Sequence, residues 1–363
     1  MFFLGGRDGW DPNNAADAWL EKIPPGWKLV TWSDVFKQSP LWYQTDEAAR
    51  IADQVILYQK VNGGWDKNTD MALMLSQEEK SKIAAAKSDV SETTIDNRTT
   101  YPQVAYLGRV ITASLLKSSP PNNFPQYKES FNKGLDYLFA SQYENGGFPQ
   151  FFPLRKGYYT HITFNDDAMI GVLRVLRDIA QKKEDYKFVD EERRLKAEKA
   201  VAKAIPLIIK TQVEVGGKKA VWAAQYDENT LKPAPARAFE PISLTAGESV
   251  GIVRFLMQEK PTPEIRESIE SAIRWFEANK VTGIRWERKN GENVVINDKS
   301  APPIWARFYQ IETMRPIFIG RSGEIKYSVS EIEAERRNGY AWYVDSPAAL
   351  LARDYSRWKE RLR

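Results

Sequence analysis

Apolar side chains recur at intervals of three and four residues along most of this chain. In residues 46–59, for example, Ile51, Val55 and Tyr58 fall on one face of a helix. This spacing is typical of an amphipathic α-helix that packs one face on a core. It returns within residues 100–116, 131–138, 169–180, 201–208, 246–257 and 265–276. The pattern therefore predicts a mainly α-helical protein with long irregular loops.

Short signals mark where some helices begin. Ser76-Gln77-Glu78-Glu79 matches a capping box, in which the serine and the last glutamate satisfy each other's backbone N–H groups. Ser346-Pro347 supplies an N-cap and a proline at the first helical position, for a last helix that runs to Arg357 or beyond. Strand signals are few, and Gly283–Glu287 with Asn293–Ile296 predict one small hairpin.

An internal repeat joins several of the predicted helices. A helix ends in glutamine, three residues follow, and then comes Gly-Gly, at Gln59–Gly64, Gln142–Gly147 and Gln212–Gly217. The intervals of 83 and 70 residues suit a helix pair with its loops. The repeat predicts helix pairs arranged in an (α/α) toroid, with Gly-Gly providing the left-handed turn after each helix. Three independent glycine caps are the alternative interpretation.

The chain shows no clean internal boundary. Residues 1–45 are rich in Gly, Pro and Trp and lack periodicity, which indicates an irregular N-terminal cap. Residues 46–363 are expected to form one structural unit, with loops at 118–125 and 232–241. The start, MFFLGGRDGWDP, has no basic segment, long apolar segment or cleavage site, so either a cytosolic protein or a mature chain is expected.

Composition limits the chemistry more than the fold. The 363 residues carry 52 basic and 48 acidic side chains, for a net charge of +4, which argues against a protein that wraps nucleic acid. No apolar run approaches the roughly 20 residues that a membrane helix needs. Cysteine is absent and His161 is the single histidine, so acid–base chemistry rests mainly on Asp, Glu, Lys, Arg or Tyr. The 12 tryptophans and 16 tyrosines suit either sugar binding or a packed core.

Two acidic clusters precede predicted helices. Asn165-Asp166-Asp167 stands before the helix that starts near Ala168, and Thr94-Ile95-Asp96-Asn97 stands before the helix of residues 100–116. Carboxylates at a helix N-terminus stay ionised, and ionised carboxylates suit a hard cation. Each cluster alone is more typical of a plain helix cap than of a metal site. Two such caps at equivalent ends of neighbouring helices favour a shared metal site.

Cationic side chains form a second kind of candidate. Arg237 lies in a proline-stiffened loop, 232–240, that can place a cation accurately, although a surface linker has the same composition. Arg307, Arg315 and Arg321 lie near aromatic residues and could bind carboxylates or pair with surface acids. Gly63–Asn68 presents Trp65 and Lys67 on a glycine turn, as either a sugar-binding edge or a packed cap.

Five motifs in order resemble a known family. They are Gly63-Gly64-Trp65-Asp66-Lys67-Asn68, Thr94-Ile95-Asp96-Asn97, Gly146-Gly147-Phe148-Pro149-Gln150-Phe151-Phe152-Pro153, His161–Met169 and Pro235–Glu240. Together they resemble the pectate lyases of polysaccharide lyase family 10, over residues 58–325. The departures are small: Asp66 stands where proline is expected, and Phe148 where tryptophan is expected.

The resemblance implies an (α/α)3 toroid with an open groove and Ca²⁺-dependent anti β-elimination of de-esterified polygalacturonate, giving 4,5-unsaturated oligogalacturonides. By position in the motifs, Arg237 corresponds to the base that abstracts the C5 proton. Asp96, Asp166 and Asp167 correspond to the Ca²⁺ ligands. Substrate binding falls to Lys67, Asn97, Asn165, Arg307 and Arg321. The implied protein is a secreted monomer that acts on an acidic polysaccharide and binds neither nucleic acid nor membrane.

Two other functions fit the residues taken alone. A glycoside hydrolase on a toroid would pair Asp166 with Asp227 or Glu248, would need no metal and would yield no unsaturated product. A non-catalytic sugar-binding module would use the aromatic side chains and would bind without turnover. The ordered motifs favour the lyase.

Overall fold

The computed structural model describes residues 30–118 and 120–362, and helices dominate them. The predicted mainly α-helical class is confirmed. The helices are α1 (Asp46–Tyr58), α2 (Gln77–Ala85), α3 (Tyr101–Leu115), α4 (Phe124–Ala140), α5 (Ala168–Ala180), α6 (Glu191–Lys210), α7 (Ala246–Leu256), α8 (Pro263–Ala278), α9 (Ala334–Asn338), α10 (Ser346–Ala349) and α11 (Tyr355–Glu360). None of the helices in the described part of the chain combines the length and apolar character required to span a lipid bilayer.

Strands are short, and most contain two residues. They are β1 (Ile162–Thr163), β2 (Glu214–Val215), β3 (Lys218–Lys219), β4 (Gln225–Tyr226), β5 (Leu244–Thr245), β6 (Ile284–Lys289), β7 (Glu292–Asn297), β8 (Trp305–Ala306), β9 (Phe308–Tyr309), β10 (Pro316–Ile319), β11 (Ile325–Lys326) and β12 (Tyr343–Val344). They pair as a four-stranded sheet in the order β11-β10-β9-β5 and as the pairs β1-β4, β2-β3, β6-β7 and β8-β12.

The structure confirms the predicted capping box and the predicted hairpin. Ser76 Oγ accepts from the Glu79 N–H at 3.2 Å while Glu79 Oε2 accepts from the Ser76 N–H at 2.7 Å, which completes the capping box. The predicted hairpin is β6-β7, with Ile284 opposite Asn297. The last helix departs from a regular α-helix, because a π-helical turn at Leu350–Asp354 separates α10 from α11.

The described residues group into two compact units that alternate along the chain. The first contains residues up to 141 together with 151–153 and 175–199; the second contains 142–150, 154–174 and 200 onward. The prediction of one structural unit for residues 46–363 stays a prediction beside this grouping. Of the predicted N-terminal cap 1–45, residues 1–29 lie outside the described residues.

The described part of that cap belongs to the first unit. Two 3₁₀ turns, Trp32–Lys37 and Pro40–Gln44, replace regular helix here. The Trp32 ring lies 5.4 Å from that of Tyr106 on α3, and Arg109 on the same helix donates to Tyr43 Oη at 2.7 Å. These contacts make the segment part of the core of the first unit.

The repeat glutamines perform the same task three times. Gln59 Nε2 donates to the Gly63 and Ser130 carbonyls, both at 2.9 Å. Gln142 Nε2 donates to Gly146 and Ala200, and Gln212 Nε2 to Ala220 and Ser268, all within 3.0 Å. One side-chain amide thus ties each loop to the middle of a later helix, α4, α6 or α8, which explains the recurrence of glutamine.

The first two Gly-Gly turns need glycine for space as well as conformation. Gly63 and Gly146 have φ values of +90° and +95°. A Cβ atom would lie 2.2 Å from the Lys133 carbonyl oxygen at the first position and 2.4 Å from that of Lys203 at the second. Each glycine therefore lets a loop lie directly on the backbone of α4 or α6.

The third Gly-Gly does not have the predicted role. Gly216 and Gly217, with φ values of +57° and +74°, form the two-residue turn of the β2-β3 hairpin, and a Cβ atom at either would touch nothing within 4 Å. The hairpin lengthens the loop, so that Gln212 reaches Ala220 in place of a glycine. The prediction that this Gly-Gly ends the helix is wrong because its two residues belong to an inserted hairpin.

Backbone pairing reveals a fourth copy that the glutamine spacing does not show. Lys60, Tyr143, Val213 and Val281 each donate their N–H to a carbonyl across the loop, on Gly64, Gly147, Val221 and Ile304 respectively, at 2.7–3.2 Å. An aromatic residue follows each acceptor: Trp65, Phe148, Trp222 and Trp305. The three indoles each donate to a carbonyl on or at the end of the preceding repeat helix, Val55, Ile208 and Phe276, within 2.9 Å.

This repeat decides where the candidate site residues lie. Thr94, Thr163 and Thr245 each return their N–H to the carbonyl of the loop aromatic, at 2.9–3.1 Å. The chain then enters α3, α5 or α7 within a few residues. The two predicted acidic clusters and Glu248 therefore occupy corresponding positions in successive repeats, after the threonine and at the start of the next helix.

Candidate active site

In the first unit, Asp96 and Lys67 form an ion pair. Lys67 Nζ lies 2.7 Å from Asp96 Oδ2 and 5.2 Å from the centre of the Phe151 ring. Asp96 is only 5% exposed, and its second oxygen, Oδ1, is buried without a hydrogen-bond partner among the described residues. A buried carboxylate oxygen with unused acceptor capacity is a suitable ligand for a hard cation.

The segment after Asp96 has an unusual backbone. Asn97, Arg98 and Thr100 all have positive φ, between +48° and +65°, and so does Asn68, at +64°. Asn97 Nδ2 donates to Asn68 Oδ1 at 3.2 Å, which joins the predicted substrate-binding asparagine to the Gly63–Asn68 turn. Consecutive left-handed residues outside glycine are uncommon and are typical of functional sites.

In the second unit, the Asn165-Asp166-Asp167 turn points its two carboxylates in different directions. Asp166 and Asp167 have φ values of +52° and +61°. Asp167 Oδ2 lies 3.5 Å from Arg174 Nη1, and a Cβ atom added at Gly251 would lie 2.3 Å from Asp167 Oδ1. Asp167 therefore packs against α7, where only glycine leaves it room.

Asp166 belongs to a cluster around Arg307. Asn165 Nδ2 donates to Asp166 Oδ2 at 2.7 Å, and Asp166 Oδ1 lies 3.7 Å from Arg307 Nη2. The same Nη2 donates to Asn165 Oδ1 at 3.2 Å and to Glu248 Oε1 at 3.1 Å. Three of the predicted site residues thus meet at one guanidinium group.

Glu248 holds this cluster from α7. It is 8% exposed, and the Thr245 hydroxyl donates to its second oxygen. Burial disfavours the charge on Arg307, but the acidic groups, Glu248 first, raise the pKa of its guanidinium above the ordinary value. Arg307 therefore remains a fixed cation.

Arg237 and Glu240 form the other ion pair of this unit. Arg237 Nε lies 2.9 Å from Glu240 Oε2, and Nη2 lies 2.5 Å from Oε1. These hydrogen bonds raise the pKa of Arg237 above the ordinary arginine value. Burial raises the pKa of Glu240, but the Arg237 contacts outweigh it, so that the pKa is lowered overall. The guanidinium is thus held in place and fully charged in the free protein.

Tyr340 connects the two ion pairs. Its hydroxyl donates to Glu240 Oε1 at 3.2 Å, and its ring lies 4.6 Å from the Arg307 guanidinium carbon. The Arg336 guanidinium carbon lies 4.0 Å from the same ring. A single aromatic side chain therefore sets the position of Glu240, and through it Arg237, relative to Arg307.

Three guanidinium groups lie close to the ring of Phe239. The guanidinium carbons of Arg237, Arg321 and Arg336 lie 5.0, 5.2 and 4.4 Å from its ring centre. Arg321 is exposed and is paired with Glu335 through Nε at 3.1 Å and Nη2 at 2.7 Å. Burial, with some repulsion from Arg237 and Arg321, lowers the pKa of Arg336. The concentration of positive charge suits a polyanion.

Sequence reasoning missed Tyr340 and Arg336. Both lie in Arg336–Trp342, where two arginines are followed by a tyrosine and a tryptophan within seven positions. Arginines close to aromatic residues in the sequence are typical of an anion- or sugar-binding surface. The stretch stands about 100 residues from the Arg237 loop, so the sequence alone does not connect the two.

Two solved structures are similar to the whole chain. One is a family 10 polysaccharide lyase from Cellvibrio cellulosa, with a TM-score of 0.74 and 28% sequence identity, covering 95% of this chain and 96% of that one. The other is an aspartate-to-alanine mutant of a family 10 polysaccharide lyase from the same organism in complex with trigalacturonic acid, at the same TM-score and identity, covering 95% and 97%. No curated protein sequence matches this chain significantly.

The fold and the site thus define a polysaccharide lyase. The sequence profile of the family described as Pectic acid lyase matches residues 59–351, and the chain belongs to this family. The predicted resemblance and the predicted enzyme class are confirmed. The glycoside hydrolase and the non-catalytic binding module, the two alternatives from the sequence, are not supported.

Proposed function

We propose that this enzyme cleaves de-esterified polygalacturonate by Ca²⁺-assisted anti β-elimination and releases 4,5-unsaturated oligogalacturonides. The network from Arg237 through Glu240 and Tyr340 to Arg307 and Asp166 carries the proposal, because it sets a possible base beside fixed cations and a carboxylate. The similarity to a lyase structure that holds trigalacturonic acid supports the substrate class.

The reaction needs stabilisation of negative charge. The C5 hydrogen of a galacturonate unit lies next to a carboxylate, so its removal places a second negative charge on that group. Calcium bound between the substrate carboxylate and protein carboxylates would act as a Lewis acid there. Arg307 and Arg321 hold substrate carboxylates through planar forked donors, and Lys67, Asn97 and Asn165 bind further oxygens.

Arg237 is the proposed base, and its pairing with Glu240 defines what that role requires. The pair uses Nε and Nη2, so Nη1 is the nitrogen that carries no hydrogen bond to the described part of the chain. Nη1 can approach the C5 hydrogen while Glu240 fixes the plane of the group. Glu240 also raises the pKa of Arg237, so the neutral form is a minor fraction that increases with pH. An alkaline optimum follows.

Asp96 in the first unit and Asp166 in the second, each considered within its own unit, are the preferred Ca²⁺ ligands. Asp96 offers a buried oxygen with no partner among the described residues, and Asp166 faces the Arg307 cluster. Asp167, the third predicted ligand, is engaged by Arg174 and packs on Gly251. We therefore assign Asp167 a supporting role, in which it holds the turn that presents Asp166.

The helix pairs are proposed to form an (α/α)3 toroid. Three complete pairs, α3 with α4, α5 with α6 and α7 with α8, follow successive copies of the same loop. Because pectin lies outside cells, we also propose that the enzyme is secreted, and that it works as a monomer on its polymer.

A spectrophotometric assay tests the activity. De-esterified polygalacturonate is incubated with the enzyme at alkaline pH, with Ca²⁺ or with a chelator, and ultraviolet absorbance is followed. Elimination creates a conjugated double bond, so we expect absorbance to rise with Ca²⁺ and to stay flat with chelator. New reducing ends without absorbance would indicate hydrolysis and would refute the proposal, as would binding without turnover.

A further inference from the structure

A second group of possible metal ligands lies apart from the residues assigned above. His161, Asp227 and Glu228, all in the second unit, each offer one ligand atom within 4.8 Å of the other two. The function proposed above uses none of them. His161 is the chain's single histidine, and the chain contains no cysteine.

Strand pairing brings the three side chains together. Strands β1 and β4 are antiparallel with Ile162 opposite Tyr226, so that the next pair outward is His161 and Asp227. Glu228 follows directly. The cluster therefore sits at the open end of a two-stranded ladder and follows from its register.

Two atoms of this cluster lack partners. His161 Nδ1 and Glu228 Oε2 are buried, and neither makes a hydrogen bond within residues 30–118 and 120–362. Buried polar atoms are nearly always satisfied, so two unsatisfied ones on adjacent ligating side chains indicate a missing partner. An imidazole nitrogen and a carboxylate oxygen both offer lone pairs, and a cation satisfies both at once.

The backbone around these residues is held in advance. Asn145 Nδ2 donates to the Glu228 carbonyl at 2.8 Å, and the His161 N–H donates to the Tyr158 carbonyl at 3.2 Å. Asp227 Oδ1 accepts three hydrogen bonds from Asn229 and Thr230, which orients the carboxylate. Such support is what metal-ligating side chains require.

We propose that His161, Asp227 and Glu228 bind a single zinc ion, with water as the fourth ligand. One imidazole and two carboxylates form a set that zinc accepts in tetrahedral geometry, whereas Ca²⁺ and Mg²⁺ prefer oxygen alone. Ligand atoms around zinc lie roughly 3.4 Å apart, given bonds of about 2.1 Å. Small side-chain rotations from the present separation complete the site.

The site has a structural role for the active centre. Strand β1 leads directly from His161 to Asn165 and Asp166. From the other side, the Asp227 N–H donates to Lys232 and the Ala234 N–H donates to Gln225, so that β4 carries the loop that holds Arg237. A zinc ion here fastens the segment of the acidic turn to the segment of the arginine loop.

Zinc binding is measured by titration calorimetry on the full chain, free of any histidine tag and treated with chelator. We expect one ion per chain, with affinity at least about 10-fold weaker in His161→Gln and in Glu228→Gln. Glu144→Gln is the matched control, because Glu144 lies in the same region with a side chain 99% exposed. It should bind zinc as the unchanged protein does.

X-ray absorption at the zinc edge supplies the second readout. Since His161 is the only imidazole, a histidine signature identifies the ligand without ambiguity. Zinc should also raise the Tm of the unchanged chain and of Glu144→Gln, but not of Glu228→Gln. Binding unaffected by both ligand substitutions, or no binding at millimolar zinc, overturns the proposal. Neither readout depends on turnover of polygalacturonate, so failure of the zinc proposal and failure of the proposed function are distinguishable.

Discussion

Glu240 binds Arg237 at two points, with Nη2 to Oε1 at 2.5 Å and Nε to Oε2 at 2.9 Å, and so raises the pKa of the proposed base. This arrangement lowers the neutral fraction of Arg237 but fixes the position of its guanidinium group. A guanidinium held in one plane by a carboxylate needs little reorganisation when substrate arrives, but it is protonated at neutral pH. With Arg237 as the proposed base, the pair predicts that the enzyme is most active under alkaline conditions.

Replacing Glu240 tests both effects on Arg237, the raised pKa and the fixed orientation. In Glu240→Gln the interaction that raises the pKa of Arg237 is lost, so the pKa falls and a larger neutral fraction exists at a given alkaline pH. We expect the rising alkaline limb of kcat/KM to move to lower pH, while the maximum rate falls about 10-fold or more because the base is no longer oriented.

Glu335→Gln is the matched control for that measurement. Glu335 binds Arg321 through the same two-point geometry but lies outside the proposed proton transfer. Its pH profile should stay unchanged, with an effect confined to KM. A Glu240→Gln profile that superimposes on that of the unchanged enzyme would exclude Arg237 as the group that titrates.

The two neighbouring aspartates should respond differently to amidation. Asp166→Asn should raise the Ca²⁺ concentration for half-maximal activity by at least about 10-fold, because it removes a proposed ligand charge. Asp167→Asn removes the pairing with Arg174, a half-exposed contact worth roughly 0.5 kcal/mol, and should change stability more than Ca²⁺ dependence. A Ca²⁺ titration of activity compares the two variants. A larger increase in the half-maximal Ca²⁺ concentration for Asp167→Asn than for Asp166→Asn would assign the ligand role to Asp167.

The activity should depend on the planar shape of the Arg307 guanidinium group. It is 14% exposed and donates to Asn165 and Glu248 while stacking on Tyr340. Lysine keeps the charge but loses the planar fork, so Arg307→Lys should reduce kcat/KM about 100-fold. Arg315→Lys is the control, because Arg315 is exposed and stacks on Tyr327 away from this cluster. Steady-state kinetics that show equal effects would contradict the assigned role.

Much of the fold follows from local sequence signals, since helix periodicity and caps depend on neighbouring residues. The capping box at Ser76 and the β6-β7 hairpin are cases in point. The third Gly-Gly misled because the same dipeptide suits a helix end and a hairpin turn, and local sequence does not distinguish them.

The candidate site was predictable only where its residues lie in compact motifs. Asn165, Asp166 and Arg237 stand in such motifs, whereas Tyr340 acts on Glu240 from 100 positions away. Pairing of that kind depends on how distant segments pack. The Arg336–Trp342 stretch shows its arginines and aromatic residues in the sequence, but not what they contact.

Two glycines from the repeat should differ sharply in what they tolerate. Gly146→Ala forces a Cβ atom to within 2.4 Å of the Lys203 carbonyl oxygen at a φ of +95°, so the loop must leave the helix, and we expect a loss of about 3 kcal/mol or more. Gly216→Ala, in the hairpin turn, meets nothing within 4 Å and should cost only about 1 kcal/mol for its left-handed φ. Denaturant unfolding of both variants compares them, and equal losses would contradict the close loop–helix contact.

Replacing a repeat glutamine should lower the free energy of unfolding more than replacing an exposed glutamine. Gln212, 5% exposed, donates to Ala220 and Ser268 and accepts from the Ser268 hydroxyl at 2.7 Å. Gln212→Ala leaves the buried Ala220 carbonyl and the Ser268 hydroxyl without these partners, so the free energy of unfolding should fall by about 2–4 kcal/mol. Gln77→Ala, on the exposed start of α2, should change it by less than about 0.5 kcal/mol. Similar urea midpoints for the two variants would show that the hydrogen bonds of Gln212 do not stabilise the protein.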